Sequence, residues 1–401
     1  MMSRKSSALA GAALLTVALA APAMAQEPMI EVVAEGLDNP RGVMVGDDGS
    51  VYVAEAGVGG DTCLGEGEEA MCYGPTGAVV RVTADGMEPV VEGLTSAAAG
   101  PEAGSVSDTA MAADGSLYLI MNLGADPASR AEMPEAFAYS GWLMKLGADG
   151  TLEPVADVAA FESANDPDAE MGGAVDSNPH GIVATDAGIV VADAGANDVL
   201  LVSDDGSISL LGVLGPTVHE FPAAMLAAMG PPPEGEGEIP ATEGEGEGEA
   251  PPADAMVPIP VEAVPTSVTV GPDGALYVGQ LTGGPFPIGG ASVWRLADGE
   301  APTEYATGFT NIMGLGFAPD GTLYVAEMVH DGLMVVFAGG DAPPIGAVLS
   351  VPPGGGEPTM VATGEQLMAL GGLAVDADGA VYVSTGTIMG PGGGSLVKIT
   401  P

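Results

Sequence analysis

One turn-and-strand phrase recurs along this chain, and nothing else in the sequence restricts the fold so strongly. It reads Asp48-Gly49-Ser50-Val51-Tyr52-Val53, then Asp114-Gly115-Ser116-Leu117-Tyr118-Leu119 and Asp273-Gly274-Ala275-Leu276-Tyr277-Val278. It returns as Asp320-Gly321-Thr322-Leu323-Tyr324-Val325 and as Asp378-Gly379-Ala380-Val381-Tyr382-Val383. A degenerate copy, Asp186-Ala187-Gly188-Ile189-Val190-Val191, fills the one large gap. Asp-Gly supplies the positive φ angles of a tight hairpin, and β-branched and Tyr positions suit the strand that leaves it. Repetition of this kind signals an array of like units.

Each copy lies in a longer frame. An apolar strand precedes it, such as Gly42-Val43-Met44-Val45 or Gly372-Leu373-Ala374-Val375. A third strand follows, often with a basic residue near its end: Val79-Val80-Arg81-Val82, Leu143-Met144-Lys145-Leu146, Val293-Trp294-Arg295-Leu296 and Leu396-Val397-Lys398-Ile399. A fourth comes next, as in Pro89-Val90-Val91-Glu92. Four short antiparallel strands repeated radially make the blade of a β-propeller, so six copies predict an all-β, six-bladed propeller. The chain opens with a fourth-type strand, Ile30 to Leu37, and closes with a third-type strand at Ile399. The N-terminal strand is therefore expected to complete the last blade and remove two free sheet edges.

Arg4 and Lys5, the apolar run from Ala8 to Ala21 and then Ala23-Met24-Ala25 have the form of an export signal. Residues 1–25 are read as a signal peptide and 26–401 as the propeller, a monomer expected outside the cytoplasm, secreted or periplasmic. No later apolar stretch reaches membrane length. Residues 216–258, with Pro231-Pro232-Pro233 and a Glu/Gly alternation, are expected to be a disordered insertion. The 55 acidic residues against 8 Lys and Arg give a net charge of −47. That excludes nucleic acid as a partner, because hardly any cations are present to displace its counterions. Anionic membrane surfaces are excluded on the same ground.

Cys63 and Cys72, close in sequence between the second and third strands of blade one, are expected to form a disulfide in an exported chain. Loops that leave second strands and enter first strands meet around the mouth of a propeller's channel. Those loops place Arg41, Glu55, Asn178, His180, Asp193, Gln280, Asn311 and Glu327 at equivalent blade positions. They form a candidate rim for a small molecule or a protein partner, with calcium a candidate ion. The competing reading is that these side chains bond neighbouring loop backbones. His180, between Asn178-Pro179 and Gly181, is a candidate base or ligand as well as a candidate structural residue. The sequence contains no Gly-x-Ser-x-Gly elbow, no His-Glu-x-x-His and no phosphate loop.

Several longer runs together resemble the ScyD/ScyE family. They include Gly36-Leu37-Asp38-Asn39-Pro40-Arg41-Gly42, Tyr52-Val53-Ala54-Glu55-Ala56-Gly57, Asp176-Ser177-Asn178-Pro179-His180-Gly181 and Ala192-Asp193-Ala194-Gly195-Ala196-Asn197-Asp198. Pro265-Thr266-Ser267-Val268, Gly279-Gln280-Leu281-Thr282-Gly283 and Gly308-Phe309-Thr310-Asn311-Ile312 add to the likeness. The resemblance covers the chain from about Ile30 to Ile399 apart from the insertion. It implies an exported propeller of NHL-like repeats and leaves the chemistry unassigned. Six-bladed lactonases of the regucalcin type hold calcium at strand-one entries. Here those entries carry Arg41, His180, Thr266 and Asn311, so that ligand set is not matched. Quinoprotein sugar dehydrogenases share an Asn-Pro-x-Gly and Asp-Gly pattern, but their tricarboxylate cofactor needs several cations. Arg41 and Arg130 are the spare ones.

Two functions are thus expected in order: a non-catalytic binding propeller, and behind it a calcium-dependent lactonase or esterase-like hydrolase. The second would use Glu55, Asp193 or Glu327 as ligands and His180 as base.

Overall fold

The computed structural model describes residues 27–65, 67, 70–229, 252, 254–337 and 342–401. The expected export signal and the whole Glu/Gly run fall outside them. Six antiparallel blades stand around a central channel. Their innermost strands are Pro40–Val45, Val106–Met111, Pro179–Thr185, Pro265–Val270, Ile312–Phe317 and Leu373–Val375. The second strands are Val51–Glu55, Leu117–Met121, Gly188–Asp193, Leu276–Gln280, Leu323–Glu327 and Val381–Thr385. Blade six takes its outer strand from the other end of the chain. Met29–Leu37 pairs antiparallel with Gly394–Thr400, from Met29 opposite Thr400 to Leu37 opposite Gly394, with register shifts between Val32 and Ala34 and between Glu35 and Leu37. The expected closure is what the ring uses, and it leaves no unpaired edge on that blade's third strand.

The recurring turn differs in detail from a two-residue hairpin with both residues at positive φ. In blade one the N–H of Gly46 reaches the carbonyl of Ser50 at 2.8 Å, and the N–H of Gly49 reaches that of Gly46 at 2.9 Å. This is a three-residue loop in which only Gly49, at φ 79°, is left-handed. The Asp works through its side chain: Asp48 Oδ1 accepts from the N–H of Ser50 at 3.0 Å, and Asp114 and Asp320 do the same at 2.9 Å. The basic residue of the third strand returns to this turn. Arg81 meets Asp48 at 2.6 Å and Arg295 meets Asp273 at 2.8 Å. These pairs are partly exposed, so water screens them and they add little to stability.

The apolar core lies between blades. Leu37 and Leu396 from blade six pack with Val43, Val53 and Val80 of blade one, and Tyr324 and Val348 of blade five pack with Val381 and Ile399 of blade six. Period-two alternation gives every blade two buried faces, one for each neighbour.

The 216–258 segment corrects the expectation of a structureless loop at its flanks. Thr217–Pro222 pairs with Met256–Val261, and a short helix, Ala223–Met229, follows the first strand. Phe221, Ile259 and Val261 are buried together, which is sufficient apolar contact to order a hairpin. Cys63 and Cys72 form a disulfide, each on a paired strand.

Candidate channel-mouth site

Each of the first five inner strands begins with a β-bulge. The register shifts fall between Pro40 and Val43, Val106 and Asp108, Pro179 and Gly181, Pro265 and Ser267, and Ile312 and Gly314. A bulge inserts an unpaired residue and re-aims its side chain. The residues carried by these bulges include Arg41, Ser107, His180, Thr266 and Met313, and all five line the channel. Blade six has no such bulge and presents Gly372 there. One residue per blade therefore sets the chemistry of the waist. In blade three the next residue is glycine for a steric reason: a Cβ on Gly181 would lie 2.7 Å from the Thr266 carbonyl.

Hydrogen bonds join these strands across blade boundaries. His180 Nδ1 donates to the Thr266 carbonyl at 2.8 Å, and Thr266 Oγ1 donates to the Ile312 carbonyl at 2.6 Å. Ser384 Oγ donates to the Arg41 carbonyl at 2.6 Å, and the Ile182 N–H reaches Asp108 Oδ2 at 3.0 Å. His180 and Asp108 are far from bulk solvent yet keep part of their surface open to the channel. Burial first, and the charge of Arg41 second, push His180 down to about 4. Burial pushes Asp108 up to about 7 despite the N–H groups it accepts. Arg41 is lowered by burial, and Glu102 opposes the shift. Its Nη2 is anchored on the Ala103 carbonyl at 2.6 Å.

The mouth on the side of the second-strand exits is a cavity of about 450 Å³. Arg41, Asn122, Asn178 and His180 supply its polar wall; Met133, Phe137 and Leu281 supply apolar contact. Asn178 Oδ1 has no hydrogen-bond partner, and among the described residues no protein group bonds His180 Nε2. The imidazole nitrogen, on the cavity wall, is thus left for something else to satisfy. The opposite half of the channel is larger, about 670 Å³, and is walled mainly by inner-strand residues and Asp108.

The other five residues named from the sequence do not line this mouth. Glu55 accepts from the N–H of Asp38 at 2.7 Å, and Glu327 accepts from the N–H of Thr310 at 2.7 Å and from His330 Nδ1 at 2.5 Å. Asp193, fully buried, accepts from Ser177 Oγ at 2.7 Å and from the Asn178 N–H at 2.6 Å. These carboxylates cap the loop that enters their own blade, and burial raises all three, Asp193 to about 6. Gln280 accepts from Trp294 Nε1. Asn311 sits at φ 52° with Oδ1 on the Leu333 N–H at 3.0 Å and Nδ2 on the Leu281 carbonyl at 3.2 Å. Four of these five bond backbone groups of nearby loops, as the competing reading expects, and Gln280 bonds a side chain instead. Asp108 went unnoticed in the sequence; its equivalence to Gly42 and Gly181, one place after the bulge, was the available signal.

No protein-family model matches this chain, and no curated protein matches it. Solved structures do. A glucose dehydrogenase aligns over 93% of this chain and 99% of its own, with TM-score 0.50 and 11% identity. The soluble aldose sugar dehydrogenase of Escherichia coli aligns over 93% and 99%, with TM-score 0.49 and 14% identity. A virginiamycin B lyase from Staphylococcus aureus aligns over 89% and 82%, with TM-score 0.42 and 13% identity. The first of these likenesses, at 11% identity, speaks for the propeller fold and for no chemistry.

Proposed function

We propose that this chain is an exported binding propeller of the ScyD/ScyE type that takes a small polar molecule at the mouth around His180. The observation that carries the reading is His180 Nε2, left unbonded by the protein on the wall of a cavity of ligand size that Asn178 and Arg41 also line. A neutral His180 with its proton on Nδ1 offers Nε2 to a hydroxyl or amide donor of the ligand, while Arg41 faces an acceptor and Met133, Phe137 and Leu281 cover an apolar part. A disulfide fits an extracytoplasmic setting, and no helix among the described residues is long and apolar enough to cross a membrane. The hydrolase alternative has less support, because the carboxylates it needs already hold backbone and side-chain donors of their own blades.

The test is a melting-temperature and calorimetry screen of the purified protein against neutral hydroxylated and carbonyl compounds. Compounds that bind the native chain and lose at least tenfold in affinity with His180→Ala or Asn178→Ala support the reading. Hits that bind those variants unchanged count against it, as does turnover of a lactone or ester that requires His180.

A further inference from the structure

The crossover from blade two to blade three carries a different polar feature. It consists of a helix, Val158–Asn165, and a 3-10 turn, Ala169–Met171, between the strands Leu152–Asp157 and Pro179–Thr185. Asp157 caps the helix by accepting from the Ala160 N–H at 3.0 Å. Asp166 ends it in the left-handed region at φ 42°, with its N–H on the Glu162 carbonyl. That ending turns the chain so that one carboxylate oxygen each from Glu162, Asp166 and Asp168 lies within 4.8 Å of the others.

In so acidic a protein, grouped carboxylates on the surface would mean little. These are interior. Glu162 is 1% exposed and Asp168 2%, and both oxygens of Glu162, Oδ1 of Asp168 and Oδ1 of Asp166 lack any hydrogen-bond partner. Among the described residues no Lys, Arg or His pairs with any of the three. Asp198, fully buried on the third strand of blade three, is also unpartnered at both oxygens and lies in electrostatic reach of Glu162 and Asp168. Buried polar groups in folded proteins are hydrogen-bonded, and buried charges are paired or coordinate metals. The cluster is held in place, moreover: Asp168 Oδ2 accepts from Asn197 Nδ2 at 2.9 Å. A Cβ on Gly173 would come within 2.4 Å of the Asp168 carboxylate, so only glycine lets the backbone close over it.

We propose that Glu162, Asp166 and Asp168 form a calcium site that pins this crossover to blade three. An all-carboxylate set selects a hard cation. Oxygens sharing one calcium at about 2.3–2.6 Å lie no more than about 5 Å apart, and these three fall within that span. Asp166, half-buried, marks the side of entry. The crossover runs directly into Asn178 and His180, but the site stands on its own residues and does not depend on the mouth binding anything.

The test uses the full mature chain, stripped with chelator and dialysed into about 0.15 M KCl, where the diffuse pull of the acidic surface is screened. Titration with calcium chloride is followed by calorimetry and by melting temperature. We expect one saturable calcium per chain and a rise in melting temperature of several degrees. Glu162→Gln and Asp168→Asn should weaken binding at least tenfold, and Asp166→Asn, the substitution least disruptive to packing, should weaken it measurably. Glu55→Gln should leave it unchanged. Absence of a saturable site in the native chain overturns the proposal. So does native-like binding by the folded Asp166→Asn and Glu162→Gln variants, or loss of binding in Glu55→Gln.

Discussion

The Nδ1–H of His180 donates to the carbonyl of Thr266 at 2.8 Å, tying the inner strand of blade three to that of blade four at the waist of the channel. A carbonyl only accepts, so this bond settles which nitrogen carries the proton and leaves Nε2 as a lone-pair donor. The imidazole is at once a strut between blades and the group most open to a ligand.

His180 should therefore stay neutral far below the usual histidine range. Its folded value of about 4 lies beneath the 6.5 of an unperturbed imidazole. Between those values the unfolded chain binds more protons, so stability rises with pH across that window and falls as pH drops through it. Nitrogen-15 NMR should show an Nδ1–H tautomer from pH 5 to 8. An imidazolium signal at pH 6 would contradict the geometry.

Asp108 should act in the opposite direction. Its carboxyl, raised by burial from 3.8 to about 7, holds its proton in the folded chain where the unfolded chain has lost it. Its contribution is complete below about pH 4 and declines as pH rises towards 7. Asp108→Asn removes the charge but keeps an oxygen for only one of two N–H groups, since Ile182 bonds Oδ2 and Thr109 bonds Oδ1. One bond is therefore lost at every pH, and we expect the variant to fare better against the native chain at pH 8 than at pH 4 by about 1–3 kcal/mol, read from urea unfolding at both values. Equal effects at the two pH values would refute the assignment.

Asn311 should prove structural. Replacing it by alanine leaves a left-handed residue and strands the Leu333 N–H and the Leu281 carbonyl, a loss of about 2–4 kcal/mol. Asn311→Gly should lose about 1 kcal/mol less, because only the hydrogen bonds go. Urea midpoints of the two variants decide the matter; an alanine variant as stable as the native chain would not fit.

The closing strand should limit the stability of the whole ring. Leu37 is fully buried between blades six and one, so Leu37→Ala should destabilise by about 2–4 kcal/mol. Removing residues 27–37 should expose the edge of Gly394–Thr400 and yield self-associating protein by light scattering. A monodisperse, fully folded truncation would show that closure matters less than the pairing suggests.

The architecture was readable because its signals are local. The Asp-Gly phrase, the alternating strands around it and the fourth-type strand at Ile30 to Leu37 all act over a few residues, and each recurs. The rim was readable only in part. Glu55, Arg41, Asp193 and His180 occupy comparable places in the repeat, yet Arg41 and His180 sit on bulges that turn them into the channel, while Glu55 and Asp193 turn back onto their own loops. The bulge on the inner strand decides which rim residue enters the channel, and composition does not record it.

From its sequence alone this protein is a ring of six like blades with a strand from its beginning laid beside one from its end, because turn chemistry and period-two burial operate between neighbours in the chain. Only the tertiary structure decided that Asn178 and His180 share a cavity with Arg41 and that Glu162, Asp166 and Asp168 meet out of water. Those encounters join residues from different blades, or from an irregular crossover with no repeating pattern, and their partners exist only once the ring has closed.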